Sequence, residues 1–147
     1  MKICYKWGRI MIEEKRMNKN ELIELIDSLK IDKEEFYVVS SGALVLRGIL
    51  PDAGDVDLSV TDVGLEQLKQ NYNLKKKNDD NWFTVNDKVE CVCNGPKESW
   101  EYQPENCNGI FVQNILQYYA YLQESDREKD KKRIPLVEKY MQDERSK

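Results

Sequence analysis

Hydrophobic positions recur at helical spacing first in Leu22, Ile23, Leu25, Ile26 and Leu29, behind Asn18 and Asn20, either of which can cap an amphipathic helix reaching about residue 30. The aromatic and β-branched run Phe36–Val39 predicts a strand, after which Ser40, Ser41 and Gly42 turn the chain. Residues 43–46 are apolar on nearly every face, the pattern of a buried helix, and Gly48 and Pro51 end it. Asp52 to Gly54 then make a turn. Over residues 55–61 the period changes to two, with Val56, Leu58 and Val60 on one face and Asp55, Asp57 and Ser59 on the other.

Asp62 is placed to cap a helix over residues 65–72. Lys75, Lys76 and Lys77, followed by the polar residues 78–81, predict a hairpin edge and its turn. Residues 82–85 and Val89–Cys93 read as two strands joined through Asn86, Asp87 and Lys88. Residues 94–108 have no period and are expected to form an ordered loop over the sheet face. Ile110–Val112 reads as a last short strand and residues 115–122 as a helix. Asp126 is placed to cap a final helix through Met141, which Pro135 must kink or restart. Residues 1–17 are mixed and basic and read as a loosely ordered extension, and residues 113–143 as the C-terminal helices. The expectation is one α+β domain over residues 1–147, with a mixed sheet of about four to five strands flanked by helices and a helical C-terminus.

Composition narrows this picture. A chain of 147 residues, 40% hydrophobic and 34% charged, suits a single globular domain rather than a disordered or membrane protein. Lys2, Lys6 and Arg9 interrupt any leader-like apolar segment, and no run reaches the roughly 18 apolar residues of a membrane span, so the cytoplasm is the expected location. A net charge of -4 argues against a generic nucleic-acid coat, although Lys75, Lys76 and Lys77 leave room for a directed contact with RNA. Cys4, Cys91, Cys93 and Cys107 have no CxxC spacing and are expected as free thiols. The chain contains no histidine, which excludes Ser-His-Asp and Cys-His nucleophile systems and histidine-ligated zinc.

Asp55 and Asp57 stand at i and i+2 on a strand, so their carboxylates leave one face with Cβ atoms about 6 to 7 Å apart. Two acids that close repel, and a divalent cation between them reverses the sign; oxygen-only ligands suit Mg²⁺ rather than zinc. Upstream, Ser40, Ser41 and Gly42 lead into a helix and offer hydroxyls and backbone N–H groups to an anion. Phosphate at a helix start and metal on the neighbouring strand are the two halves of a nucleoside triphosphate site.

Ser40, Ser41, Gly42, Ala43, Leu44, then Gly48, then Asp55, Val56, Asp57, Leu58 resemble the signature of the DNA polymerase β-like nucleotidyltransferase superfamily. The similarity is greatest to the small bacterial enzymes that include the abortive-infection type toxin and lincosamide nucleotidyltransferases. Arg127, Glu128, Lys129 and Asp130 resemble a second motif of those families, so the likeness covers roughly residues 36–140. It implies that Asp55 and Asp57 bind two Mg²⁺ ions and that Ser40, Ser41 and Gly42 hold the triphosphate. A third acid completes such sites; Glu90 fits because Val89, Cys91 and Cys93 face the core while Glu90 points away, with Asp87 as the alternative. Lys129 would neutralise phosphate charge, and Asp130 would orient the phosphate or the acceptor. The chain departs from the pattern at Ser40, where a glycine is usual, at Ala53, where Ser or Thr is, and near Leu122, where a lysine is.

The reaction so implied is transfer of a nucleotidyl group from a nucleoside triphosphate to a hydroxyl of RNA, protein or a small molecule, with release of pyrophosphate. A short chain favours a minimal form or a homodimer that supplies part of the site. Two alternatives stand beside it: a catalytically weak nucleotidyltransferase-like partner in a toxin-antitoxin or defence system, and a metal-dependent glycosyltransferase, which also uses D-x-D.

Overall fold

The computed structural model describes residues 2–6, 9–13, 16–77 and 81–147, with side chains over the last two stretches. The Cys4 thiol and turn residues 78–80 lie outside what is described. Within the N-terminal segment, β1 (Lys2–Lys6) and β2 (Arg9–Glu13) pair antiparallel as a two-stranded sheet of their own. Buried Met17 exchanges backbone hydrogen bonds with Ala53 and ties the segment to the domain.

Helix α1 (Lys19–Ser28) opens with a reciprocal cap. Asn18 Oδ1 accepts from the Glu21 amide at 2.9 Å while Glu21 Oε1 accepts from the Asn18 amide at 3.2 Å. Strand β3 (Phe36–Val39) runs without a loop into α2 (Ser40–Leu46), so the two serines form the first turn of the helix rather than a turn before it. Gly42 through Leu46 are all buried, as an all-round apolar helix requires. Two cores share α2: Ala43, Val45 and Leu46 join the main one, and Leu44 joins Tyr118, Leu122 and Val137 in a second.

Strand β4 (Val56–Val60) precedes α3 (Asp62–Asn71), whose cap is Thr61 rather than Asp62. The Thr61 backbone is extended, and its hydroxyl accepts from the Gly64 amide at 3.0 Å. Then follow β5 (Lys75–Lys76), β6 (Trp82–Thr84), β7 (Val89–Cys93), β8 (Glu105–Cys107), β9 (Ile110–Val112), α4 (Ile115–Glu124) and α5 (Glu128–Arg145).

The protein is α+β, with a mixed seven-stranded sheet in the order β5-β6-β7-β4-β3-β9-β8, five described α-helices and a helical C-terminus. The pairs β4–β7 and β3–β9 are parallel and the rest antiparallel. The sheet is wider than the four to five strands expected, because β5 and β8 extend its two edges. Strand β8 falls in the stretch expected as loop, and Asn108 (φ 56°) with Gly109 (φ 82°) closes its hairpin onto β9, the left-handed pair that Asn-Gly favours. Helix α5 begins after Arg127 without a side-chain cap, so Asp126 does not cap it, and it runs unbroken through Pro135. Pro135 is exposed and forfeits only its own amide bond, while Ile134, Val137 and Met141 pack the helix onto the second core on either side.

Val56, Leu58, Val60, Val89, Cys91 and Val112 are fully buried on one face of the sheet, packed with Leu22 and Ile26 of α1 and Leu68 of α3. Burial of a branched side chain is worth about 1.5–3 kcal/mol, so the three of β4 together outweigh the cost of holding an acid between them. Cys91, Cys93 and Cys107 are free thiols, and Cys91 and Cys93 both pack with the main core. Among the described residues no helix is long and apolar enough to cross a membrane.

Candidate active site

The opposite face of the sheet is polar. Alternation puts Asp57 and Ser59 of β4 there, and the parallel register pairs Asp57 directly with Glu90 of β7. Asp55 lies two residues before Asp57 on the same side. The three carboxylates each present an oxygen within 4.8 Å of the others, and they are the group of acids among the described residues that can hold a metal ion. Asp87 is exposed in the turn before β7 and is not part of the group. Glu90 is therefore brought beside Asp57 by backbone pairing.

The group is electrostatically strained. Asp57 Oδ1 is buried without a hydrogen-bond partner, an exception among buried polar atoms. Burial first, then the charges of Asp55 and Glu90, push the Asp57 carboxyl up to about 6, and Lys77 and Lys129 oppose them only partly. Lys77 Nζ lies 2.8 Å from Glu90 Oε2 and 3.1 Å from Oε1, brought there by the antiparallel run β5–β6–β7. Three converging oxygens, one of them buried and unpartnered, in a chain with no histidine, fit a hard divalent cation such as Mg²⁺.

At the start of α2, Ser40 takes a left-handed backbone (φ 56°), a conformation in which a glycine would be unstrained. Gly42 is buried against Val38, whose Cγ1 lies 3.0 Å from where a Cβ would stand, so a larger residue there requires the Val38 side chain to give by a few tenths of an ångström. Ser41 Oγ accepts from Arg133 Nη2 at 2.8 Å. Ser40 and Asp57 line one cavity of about 390 Å³, together with the aromatic rings of Tyr37, Trp82, Tyr118 and Tyr121 and the amides of Asn94, Gln113 and Gln117.

The two α5 residues singled out from sequence occupy different environments. Lys129 is exposed, and its charge acts on Asp57. Asp130 is 2% exposed, accepts from Ser125 Oγ at 2.7 Å and from Tyr121 OH at 3.0 Å, and lies 3.8 Å from Arg127 Nε. These partners hold its carboxyl low although burial acts the other way. Asp130 thus reaches the cavity through the Tyr121 ring.

Sequence reasoning missed Arg133, whose Nη1 also donates to Tyr118 OH at 2.9 Å. Its signal was spacing: one turn beyond Asp130, it shares that residue's face of α5. The chain matches no family model, no curated protein and no solved structure.

Proposed function

We propose that the protein is a Mg²⁺-dependent nucleotidyltransferase, moving a nucleotidyl group from a nucleoside triphosphate to a hydroxyl-bearing acceptor with release of pyrophosphate. The observation that carries this reading is the convergence of Asp55, Asp57 and Glu90 around a buried, unpartnered Asp57 oxygen. The unbroken order β3, Ser40 to Gly42, α2, β4 supports the nucleotidyltransferase fold that the sequence resembles. Asp55, Asp57 and Glu90 would hold the metal, which when bound supplies charge neutralisation to the phosphates and to the attacking and leaving oxygens.

The protein's own groups have separable tasks. The first turn of α2 and Lys129 receive phosphate oxygens, and the aromatic and amide walls of the cavity orient the nucleoside or the acceptor. The acceptor oxygen forms a bond to the α-phosphorus, and the bridging oxygen leaves with its electron pair on pyrophosphate. The hydroxyl proton passes to the Glu90 carboxylate, which Lys77 holds in place.

The test is incubation with each labelled triphosphate, Mg²⁺ and candidate acceptors, beside Asp57→Asn. Label transfer with pyrophosphate release in the native protein, lost by at least about a thousandfold in the variant, is expected. Release that persists unchanged in the variant sinks the assignment.

The two bonds from Lys77 to Glu90 favour a second reading, since an ammonium already satisfies the third acid. In that reading the protein binds nucleotide as a partner in a defence or toxin-antitoxin pair and does not turn it over. Saturable triphosphate binding with no pyrophosphate release on any acceptor selects it.

A further inference from the structure

Among the described residues, the two less exposed guanidinium groups are held differently. Arg47 is neutralised: Nη2 lies 2.6 Å from Glu105 Oε1 and 2.8 Å from the Gln113 carbonyl, and Nη1 bonds Tyr140 OH. Arg133 is half-buried and makes no ion pair among the described residues; its partners are the uncharged hydroxyls of Ser41 and Tyr118. The acid whose charge it senses, Asp130, is already bonded by Ser125 and Tyr121 and paired with Arg127. A partly desolvated cation without an ion-pair partner attracts an anion more strongly than it would in water.

The partners suit that task. A hydroxyl that accepts from a guanidinium can donate its own proton to another acceptor, so Arg133, Ser41 and Tyr118 together offer donors to one anion. A guanidinium is moreover the side chain whose fork matches phosphate oxygens two at a time. Tyr118 and Ser40, which precedes Ser41 in the chain, line the cavity that Asp57 also lines. The cavity therefore has the Asp57 carboxylate on its β4 side, Arg127 in its lining, and the Arg133 guanidinium behind the Tyr118 side chain.

We propose that Arg133, with the Ser41 and Tyr118 hydroxyls, forms an oligophosphate-binding corner that adjoins this cavity at Tyr118. The assignment of the ligand as the phosphate chain of a nucleotide rests on the nucleotidyl-transfer reading; the corner itself does not. The alternative is a clamp that only ties α5 to α2 and α4.

Titration calorimetry with sodium tripolyphosphate in EDTA separates the two, because the probe carries no base and the buffer no free metal. Arg133→Gln keeps an amide donor but loses the charge. It is expected to weaken tripolyphosphate binding by about tenfold to a hundredfold, as loss of a charged hydrogen bond does, with partial recovery in Arg133→Lys. Tyr118→Phe, which leaves the guanidinium in place, is expected to weaken binding by about threefold to tenfold. If Arg133→Gln fails to fold, Tyr118→Phe and Ser41→Ala carry the test. Native affinity in the folded variants, or no tripolyphosphate binding by the native protein, overturns the proposal and leaves the clamp. Tripolyphosphate binding that depends on Arg133 in a protein with no transfer activity would retire the enzymatic reading and leave the corner standing.

Discussion

The two halves of the candidate site are built by different means. On the β4–β7 side, Asp57 and Glu90 are register partners in a parallel pair, and Asp55 precedes Asp57 on the same face, so backbone pairing fixes where all three acids emerge. On the α2–α5 side, Ser41 and Arg133 stand 92 positions apart and meet through a single side-chain hydrogen bond. A sheet register is over-determined by buried neighbours such as Val56, Leu58, Val89 and Cys91, and a slip of one residue would turn every one of them to the wrong face. The serine-arginine contact has less redundancy, resting on the Tyr118 hydroxyl and on the second core where Leu44 meets Val137. The acidic side is therefore fixed by many contacts and strained by its own charge, while the cationic side rests on fewer contacts and is the more adjustable of the two.

The largest effect expected on this contrast is in metal affinity. Asp57→Asn removes a ligand from a preset group and should weaken Mn²⁺ binding by at least about a hundredfold, above the tenfold to hundredfold lost when a ligand's supporting partner is removed. Ser41→Ala, on the adjustable side, should leave Mn²⁺ affinity within about threefold while weakening the nucleotide triphosphate. Calorimetry with Mn²⁺ and then with a non-hydrolysable triphosphate reads both. Equal losses of metal affinity in the two variants would erase the distinction between the sides.

This division also explains what was legible in the sequence. Period-two alternation over Val56 to Val60 exposed the acid pair, and the same alternation around Val89 and Cys91 nominated Glu90, because strand faces follow from neighbouring residues alone. That Glu90, and not its alternative Asp87, lies beside Asp57 follows from the register, which joins strands that the sequence keeps 33 positions apart at Asp57 and Glu90. Arg133 was legible only as a neighbour of Asp130 on one face of α5; its tertiary hydrogen bond to Ser41 leaves no period. Strand β8 has only three residues and no apolar run, so pattern gave no sign of it; the Asn108-Gly109 pair did, as a hairpin turn. At α5, propensity pointed to a break at Pro135 that packing on Ile134, Val137 and Met141 overrode.

A smaller effect tests the charge strain directly. The folded protein holds the Asp57 carboxyl at about 6 against an ordinary 3.8, so it binds that proton more tightly than the unfolded chain. Protonation therefore stabilises the fold: the contribution is fully present below the ordinary value and is lost as pH rises through about 6. The loss is of order 2 kcal/mol, and Asp57→Asn removes it. In EDTA, the variant should gain in unfolding free energy over the native protein between acidic and neutral pH, and be the more stable of the two at pH about 7.5. A stability difference that stays constant across that range would show that the acids do not strain the metal-free fold.

The smallest effect separates the two serines of the α2 turn, and it turns on sign rather than size. Ser40 is held left-handed at φ 56°, at a cost of about 1–2 kcal/mol for a residue with a Cβ. Glycine removes that cost but adds about 0.5–1 kcal/mol of backbone entropy in the unfolded chain, so Ser40→Gly should stabilise the protein by up to about 1 kcal/mol. Ser41 has no positive φ to relieve, and its hydroxyl holds Arg133. Ser41→Gly therefore adds the same entropy and loses a hydrogen bond, and should destabilise by about 1–2 kcal/mol. Urea unfolding of the two variants should give midpoints on opposite sides of the native one. A destabilised Ser40→Gly would mean that its side chain contributes more to the fold than its backbone strain removes. The cationic side would then be as tightly determined as the acidic one.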